Sequence, residues 1–270
     1  MRALTRRSAL IAAGGFSAGL LGSSAIGESW LREDGRRSLT ILGSGRGLSV
    51  LLTSAGARML LLGGSDYTDF GNALSSARFP LLDRIDIVLI SGKKLNIPLV
   101  EHALRQTEPR NVYSIGGATA LLDAGVAVDR ALTVPHRFTL PGDSDVMLAV
   151  DAEEQESAPA WSMLVGWRSH QLLIDSGGSV DLPPVAHRVS AWIRVSGSIG
   201  TEDIQRIQPA AIFVDADAME GWEVRDVARQ SGQPVYGFRV HGGDVTQLQL
   251  AAGGLKLPGN PANDPSDVQH

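Results

Sequence analysis

The sequence predicts an α/β protein built as a four-layer αββα sandwich, with two mixed β-sheets face to face and helices outside. Three observations predict it. From Leu39 onward the chain falls into short apolar runs cut by Gly, Pro, Asn and Asp, the texture of strands bounded by turns. Helix-like segments separate strands in both halves of the chain, which argues for helices packed outside sheets. Tight hairpins sit at the start, the middle and the end, and these argue against a doubly wound parallel sheet. Central strands covered on both faces read as continuous apolar runs, so alternating exposure is expected only at sheet edges.

The elements follow in order. Strands are expected at 39–42 (LTIL), 48–53 (LSVLLT) and 58–62 (RMLLL), with Ala55-Gly56 as the hairpin turn between the last two. A helix around 69–77, strand 85–90, helix 97–106, strand 111–115 and a short helix near 118–124 complete the first half. In the second half strands fit 130–134, 145–150, 161–167, 170–174, 189–195, 210–215, 234–239 and 244–250, with helices near 201–207 and 222–230. Residues 28–38 (ESWLREDGRRS) are charged and aperiodic and read as a linker to a domain spanning 39–256. Residues 257–270 include GNPANDPSD, lack apolar periodicity and read as a disordered tail.

Composition is that of a globular protein, 43% apolar and 20% charged over 270 residues, enough chain to bury a substantial core. There is no cysteine, which removes disulfides, thiolate metal ligands and a cysteine nucleophile. Residues 1–27 carry three arginines and no acid, then an apolar run from Ala9 to Ile26 rich in Gly and Ser, ending in Ala25-x-Gly27. This is the architecture of a secretory signal peptide, and Arg6-Arg7 resembles the twin-arginine export motif. The expectation is an exported protein. The alternative is an uncleaved membrane anchor, although the four glycines of the run make it only mildly apolar. Without those three arginines the chain carries 21 basic and 29 acidic residues, a net charge of −8. That disfavours non-specific binding to nucleic acid, which depends on neutralising phosphates.

An ordered series of short motifs carries a resemblance. The first strand runs into Leu42-Gly43-Ser44-Gly45-Arg46-Gly47-Leu48, the hairpin ends in Leu62-Gly63-Gly64-Ser65, and Ile85-Asp86-Ile87-Val88-Leu89-Ile90-Ser91 leads into Gly92-Lys93-Lys94-Leu95-Asn96-Ile97. Later come Leu172-Leu173-Ile174-Asp175-Ser176, Arg194-Val195-Ser196-Gly197-Ser198, Pro209 to Val214, and Pro234 to Arg239 followed by Gly242-Gly243-Asp244-Val245. In this order they resemble the metallo-β-lactamase fold, and specifically the C-terminal domain of ComEC-family DNA-uptake proteins, over residues 39–250. The resemblance implies a metal site on the loops at these strand ends. It also shows that site eroded. The family's His-x-His-x-Asp-His positions fall on Gly92, Lys94, Asn96 and Ile97. Its Leu-Leu-x-Gly-Asp strand end becomes Leu172 to Ser176, where Asp175 stands for the bridging aspartate only with a one-residue shift. Both histidines of its His-His-Gly-Ser turn are replaced, by Ser196 and Gly197.

The residues alone agree, since no His-x-His, His-x-x-x-His or His-x-x-Glu-His spacing occurs. No cofactor is therefore expected. Lys93 or Lys94 can replace the charge of the lost metals by pairing with Asp175 or Asp215 or by holding an anion; the plainer reading is two solvated loop lysines. His136, His170, His187 and His241 are the residues from which a rebuilt metal site would come; isolated turn histidines are more often solvated. Gly43–Gly47 (GSGRG) reads as a structural turn, because a strand and not a helix follows it. Ser91, Ser176, Ser196 and Ser198 lack a positioned base, Asp215 and Asp217 read as hairpin or cap residues, and Trp161, Trp167, Trp192 and Trp222 are expected to pack between sheet and helix. The functional expectation is a non-catalytic binding or scaffold protein at the cell envelope, its partner an envelope protein or a small anion. The alternatives are a metal-dependent hydrolase with a rebuilt site, phosphodiesterase-like by the resemblance, and a small-ligand binder using the former cleft.

Overall fold

The computed structural model describes residues 37–43, 48–63, 70–74, 84–91, 96–141, 144–150, 161–167, 170–176, 189–194, 199–215, 226–227, 229–230, 232–238, 246–251 and 254–256. The expected signal segment and tail lie outside them, as does the linker apart from its last two residues.

Strands β1 (Arg37–Gly43), β2 (Ser49–Ser54) and β3 (Ala57–Leu62) form an antiparallel meander. Ala55 and Gly56 join β2 to β3 with positive φ at both positions, 46° and 83°, as a two-residue type I′ hairpin turn requires. The chain then switches to parallel pairing through β4 (Ile87–Ile90), β5 (Asn111–Ile115) and β6 (Arg130–Leu132). The crossovers contain the helical residues 70–74, α1 (Ile97–Thr107) and α2 (Thr119–Asp123). A second sheet repeats the plan. β7 (His136–Leu140), β8 (Ser144–Val150), β9 (Trp161–Trp167) and β10 (His170–Asp175) run antiparallel. β11 (Val189–Arg194), β12 (Ile212–Asp215) and β13 (Val235–Phe238) then add in parallel, with α3 (Thr201–Ile207) between β11 and β12. Finally β14 (Thr246–Ala251) returns to pair with β1 and carries β15 (Gly254–Lys256). The strand orders are β15-β14-β1-β2-β3-β4-β5-β6 and β13-β12-β11-β10-β9-β8-β7.

Local chemistry sets the helix ends. Asn96 caps α1 by accepting a hydrogen bond from the Leu99 N–H at 3.2 Å, Pro98 sits in the first turn where no N–H is missed, and Leu99, Val100, Ala103 and Thr107 form the buried stripe. The helix closes on Glu108 in the left-handed region, whose N–H reaches the Leu104 carbonyl at 3.0 Å. Asp86 ties three strands just ahead of β4. Its carboxylate accepts the Arg58 N–H at 3.0 Å and lies 3.5 Å from the Arg110 guanidinium, and its carbonyl accepts the Asn111 N–H.

The main core lies between the sheets and draws on both, with Ile41, Leu61 and Leu89 from one and Leu172, Ile174, Ile193 and Phe213 from the other. A smaller core covers the outer face of the second sheet, where Leu164, Leu173, Trp192, Ile212 and Val214 meet Ile204 and Ile207 of α3. Along β10 and β11, then, side chains alternate between the inter-sheet core and the helix layer.

The two sheets are clasped at one end. The Arg37 guanidinium, at the start of β1, sits 4.1 Å above the Trp167 ring and its Nε donates to Ser144 Oγ at 3.3 Å. Ser54 Oγ lies 2.7 Å from Ser144 Oγ and 2.9 Å from the Pro141 carbonyl. Since β2 ends at this clasp while β8 begins there, the parallel strands of both sheets have their carboxyl ends at the opposite end of the sandwich.

The expected architecture holds, and the differences are local. The strand expected at 130–134 stops at Leu132, and a separate strand, β7, follows at 136–140. Its alternation of buried Phe138 and Leu140 with exposed Arg137 and Thr139 is a period-two signal, hidden between Pro135 and Pro141. It forms one sheet edge, where flanking prolines are tolerated. Arg137 bonds across to Asp145, which holds the Asp145 carboxyl below its ordinary range and raises the Arg137 guanidinium. The three residues of β15 carry no sequence pattern that sets them apart from a loop.

Candidate functional site: the strand-end rim

In open α/β sheets, sites form beyond the carboxyl ends of parallel strands. Here β3, β4 and β5 in one sheet and β10, β11 and β12 in the other end on a common rim. Its described part is closed by contacts of the chain with itself. The Gly63 N–H, just past β3, donates to Ser49 Oγ at 3.2 Å. The Ser91 N–H, just past β4, reaches the Leu62 carbonyl at 2.8 Å, and the Gly116 N–H, past β5, reaches the Leu132 carbonyl at 2.8 Å. Ser114 Oγ donates to the Gly116 carbonyl at 3.4 Å.

The second sheet shows the same economy with higher stakes. Asp175 is the last residue of β10 and Arg194 the last of β11, and they are register partners on these parallel strands. Arg194 Nη1 donates to Asp175 Oδ2 at 2.7 Å, with the two side chains only 9% and 7% exposed. The Arg194 guanidinium also lies 5.8 Å from the centre of the Trp192 ring. Asp175 follows the parity of Leu173, and Arg194 that of Trp192, so the pair faces the helix layer and not the space between the sheets. Next to it, Ser176 is folded back. Its hydroxyl donates to the Trp161 carbonyl and accepts from the Trp161 N–H, both at 2.9 Å, which joins the end of β10 to the start of β9.

The residues singled out in the sequence fare as follows. Asn96 is the cap of α1, and Ile97 is its first residue, half-buried against the main core. Gly92, Lys93, Lys94, Ser196 and Gly197 lie outside the described residues. Asp215 ends β12, its backbone in register with Phe238. Asp175 carries the guanidinium of Arg194, a cation that the sequence did not single out; the lysine pair named for it lies outside the described residues. Arg194 was legible as the single charge ending the apolar strand VSAWIR, just as Asp175 ends HQLLID. Reading the two strands as register partners would have found the pair.

Of the four candidate histidines, the two among the described residues stand apart. His136 packs on the edge strand against Phe138, with ring centres 4.6 Å apart, while His170 stands at the clasp end, its Nδ1 3.3 Å from Ser190 Oγ. His187 and His241 lie outside the described residues. Among the tryptophans, Trp192 packs under α3 as expected, but Trp161 and Trp167 belong to the core between the sheets. Their parity on β9 points them inward. Trp222 is outside the described residues.

The metal ions that the sequence resemblance implies would need several imidazole or carboxylate donors converging from different loops. Among the described residues no group of three or more such side chains converges. Asp175 is held by Arg194 and Ser176 by Trp161, so these residues do not fit a metal. Nor, among the described residues, is any helix long and apolar enough to cross a membrane.

No protein-family model matches the sequence, and no curated protein matches it. Solved structures do match. The chain is similar to the metallo-beta-lactamase fold protein YhfI from Bacillus subtilis, with 13% identity and a TM-score of 0.56, covering 79% of this chain and all of that one. It is also similar to a variant of the CmlA beta-hydroxylase, with 14% identity and a TM-score of 0.50, covering 79% of this chain and 54% of that one. At such identities the likeness speaks for architecture alone. Two mixed sheets, their order and the helices outside them give this chain the metallo-β-lactamase fold.

Proposed function

We propose that this is an exported, ComEC-like protein of the metallo-β-lactamase fold that works without a metal, in a binding or scaffold role at the cell envelope. The observation that carries the reading is Ser176. By the sequence resemblance this is the place of the metal-bridging aspartate, and here a hydroxyl stands there with its donor and one of its two lone pairs engaged on the main chain of Trp161. A neutral hydroxyl held in this way is a poor substitute for a bridging carboxylate, and a serine nucleophile needs a base to take its proton, which here goes to a carbonyl. Asp175, the only acid of the strand end, is equally committed to Arg194. The first support is thus chemical, and the missing histidine pairs of the sequence are the second.

Metal analysis of the purified full-length protein tests this. The expected result is zinc, manganese and iron far below one equivalent, with no gain in melting temperature when zinc is added, because a ligand that binds only the folded state raises its stability. Near-stoichiometric metal that stabilises the fold would favour instead a hydrolase with a rebuilt site.

Export rests on the first 27 residues. Replacing Arg6 and Arg7 together by lysine is expected to leave precursor in the cytoplasm, judged by fractionation and the size of the chain. Unchanged export would point to the general secretory route, and a full-size chain in the membrane fraction to an anchor.

A further inference from the structure

On the metal-independent reading above, on which this step rests, we infer that an internal guanidinium–carboxylate rivet, Arg194 on Asp175, takes over the structural task of a divalent cation at this end of the fold. A metal held by ligands from several loops joins the strand ends that carry those loops. In this chain three neighbouring strand ends are joined by protein alone. Arg194 ties the end of β11 to that of β10 through a 2.7 Å contact between register partners, and Ser176 ties the end of β10 to the start of β9 through two 2.9 Å bonds.

The geometry suits the task. Both charges are more than nine-tenths buried, where a carboxylate without a cation is costly and a matched cation is held firmly. The guanidinium is further confined by the indole of Trp192, itself fixed among Ile204, Ile207 and Ile212 beneath α3. Each member stands at the last position of its strand. The chain leaves from there into residues 177–188 and 195–198, so whatever fixes this pair fixes the two departure points. Unlike a metal, the rivet is always present, and the order of the rim is independent of metal supply.

The test is hydrogen exchange by mass spectrometry on the full chain, comparing wild type, Arg194→Met, Arg194→Lys and the double replacement Arg194→Met with Asp175→Leu. Arg194→Met should raise exchange of the β10 and β11 amides by roughly a hundredfold or more, as a stranded buried charge opens the strand ends locally. Arg194→Lys should recover part of the protection, since the charge remains without the planar fork. The double replacement should recover most of it by removing the stranded charge, and it keeps the test decisive if the single variant does not fold. Wild type should exchange identically with zinc or with chelator.

The outcomes separate the two ideas. Wild-type exchange that slows on adding zinc defeats the metal-independent reading itself. Zinc-insensitive wild type with an Arg194→Met variant equally well protected leaves that reading standing and overturns the rivet. A double variant no better than the single one also overturns it, because the contact would then act through packing and not through charge.

Discussion

Replacing Arg194 by methionine is expected to destabilise the protein by about 3–5 kcal/mol in denaturant melts at neutral pH, because it leaves the Asp175 carboxylate buried and unpaired. The loss should shrink as pH falls from neutral toward the ordinary carboxylate range, since a carboxylate stranded by burial takes up its proton above that range and protonation removes the charge. The sign is informative. A variant that merely lost packing would be no less damaged in acid. Methionine preserves most of the apolar stem, so what changes is the charge. Lysine-to-methionine replacements in the glycine–lysine loop give the contrast. On the plainer reading of Lys93 and Lys94 as solvated lysines, Lys93→Met and Lys94→Met should each stay within about 0.5 kcal/mol of the parent, the usual range for surface positions. A cost of about 3 kcal/mol at either lysine would restore it to the role of a buried counter-charge. It would also place more than one cation at this strand end.

The fold was legible because its signals are redundant. Each central strand is a run of apolar residues bounded by turns, and the Ala55-Gly56 hairpin, the cap at Asn96 and the switch from hairpins to helical crossovers all point the same way. What escaped was short or two-sided. The β7 alternation is too brief to stand out between two prolines, and β15 is three residues that become a strand only because β14 offers an edge. For the site the sequence yields an expectation of loss, since the positions that the resemblance marks hold residues such as Gly92, Lys94 and Ile97 in place of imidazole or carboxylate donors. The pairing of Asp175 with Arg194 was not legible. That Asp175 meets an arginine of the next strand depends on the register of β10 against β11, which long-range pairing sets and no local pattern encodes. The direction of Asp175 was hidden for the same reason. Only its place in the alternation of a strand covered on both faces shows that it looks toward α3.

The other large effect is expected at Gly63, where alanine should cost about 3 kcal/mol, the upper end of what overpacking a filled site usually costs. A Cβ on Gly63 would lie 2.3 Å from the Leu48 carbonyl oxygen and 2.7 Å from the Leu48 nitrogen, both main-chain atoms that cannot rotate away. Relief therefore requires moving backbone. Leu48 is buried and immediately precedes β2, and its neighbour Ser49, also buried, accepts the Gly63 N–H, so displacing either side breaks a hydrogen bond or a strand start. The demand is steric, a matter of close approach between two segments of main chain. Gly117, also beyond a strand end on this rim, is the control: nothing lies within 4 Å of a Cβ built there, and Gly117→Ala should change stability by no more than about 0.5 kcal/mol. Equal melting temperatures for the two variants would mean that the approach of the β1–β2 turn to the end of β3 is looser than this geometry. A large loss at Gly63 alone would instead fix that approach as the structural reason for a glycine at this place in the Leu62-Gly63-Gly64-Ser65 stretch.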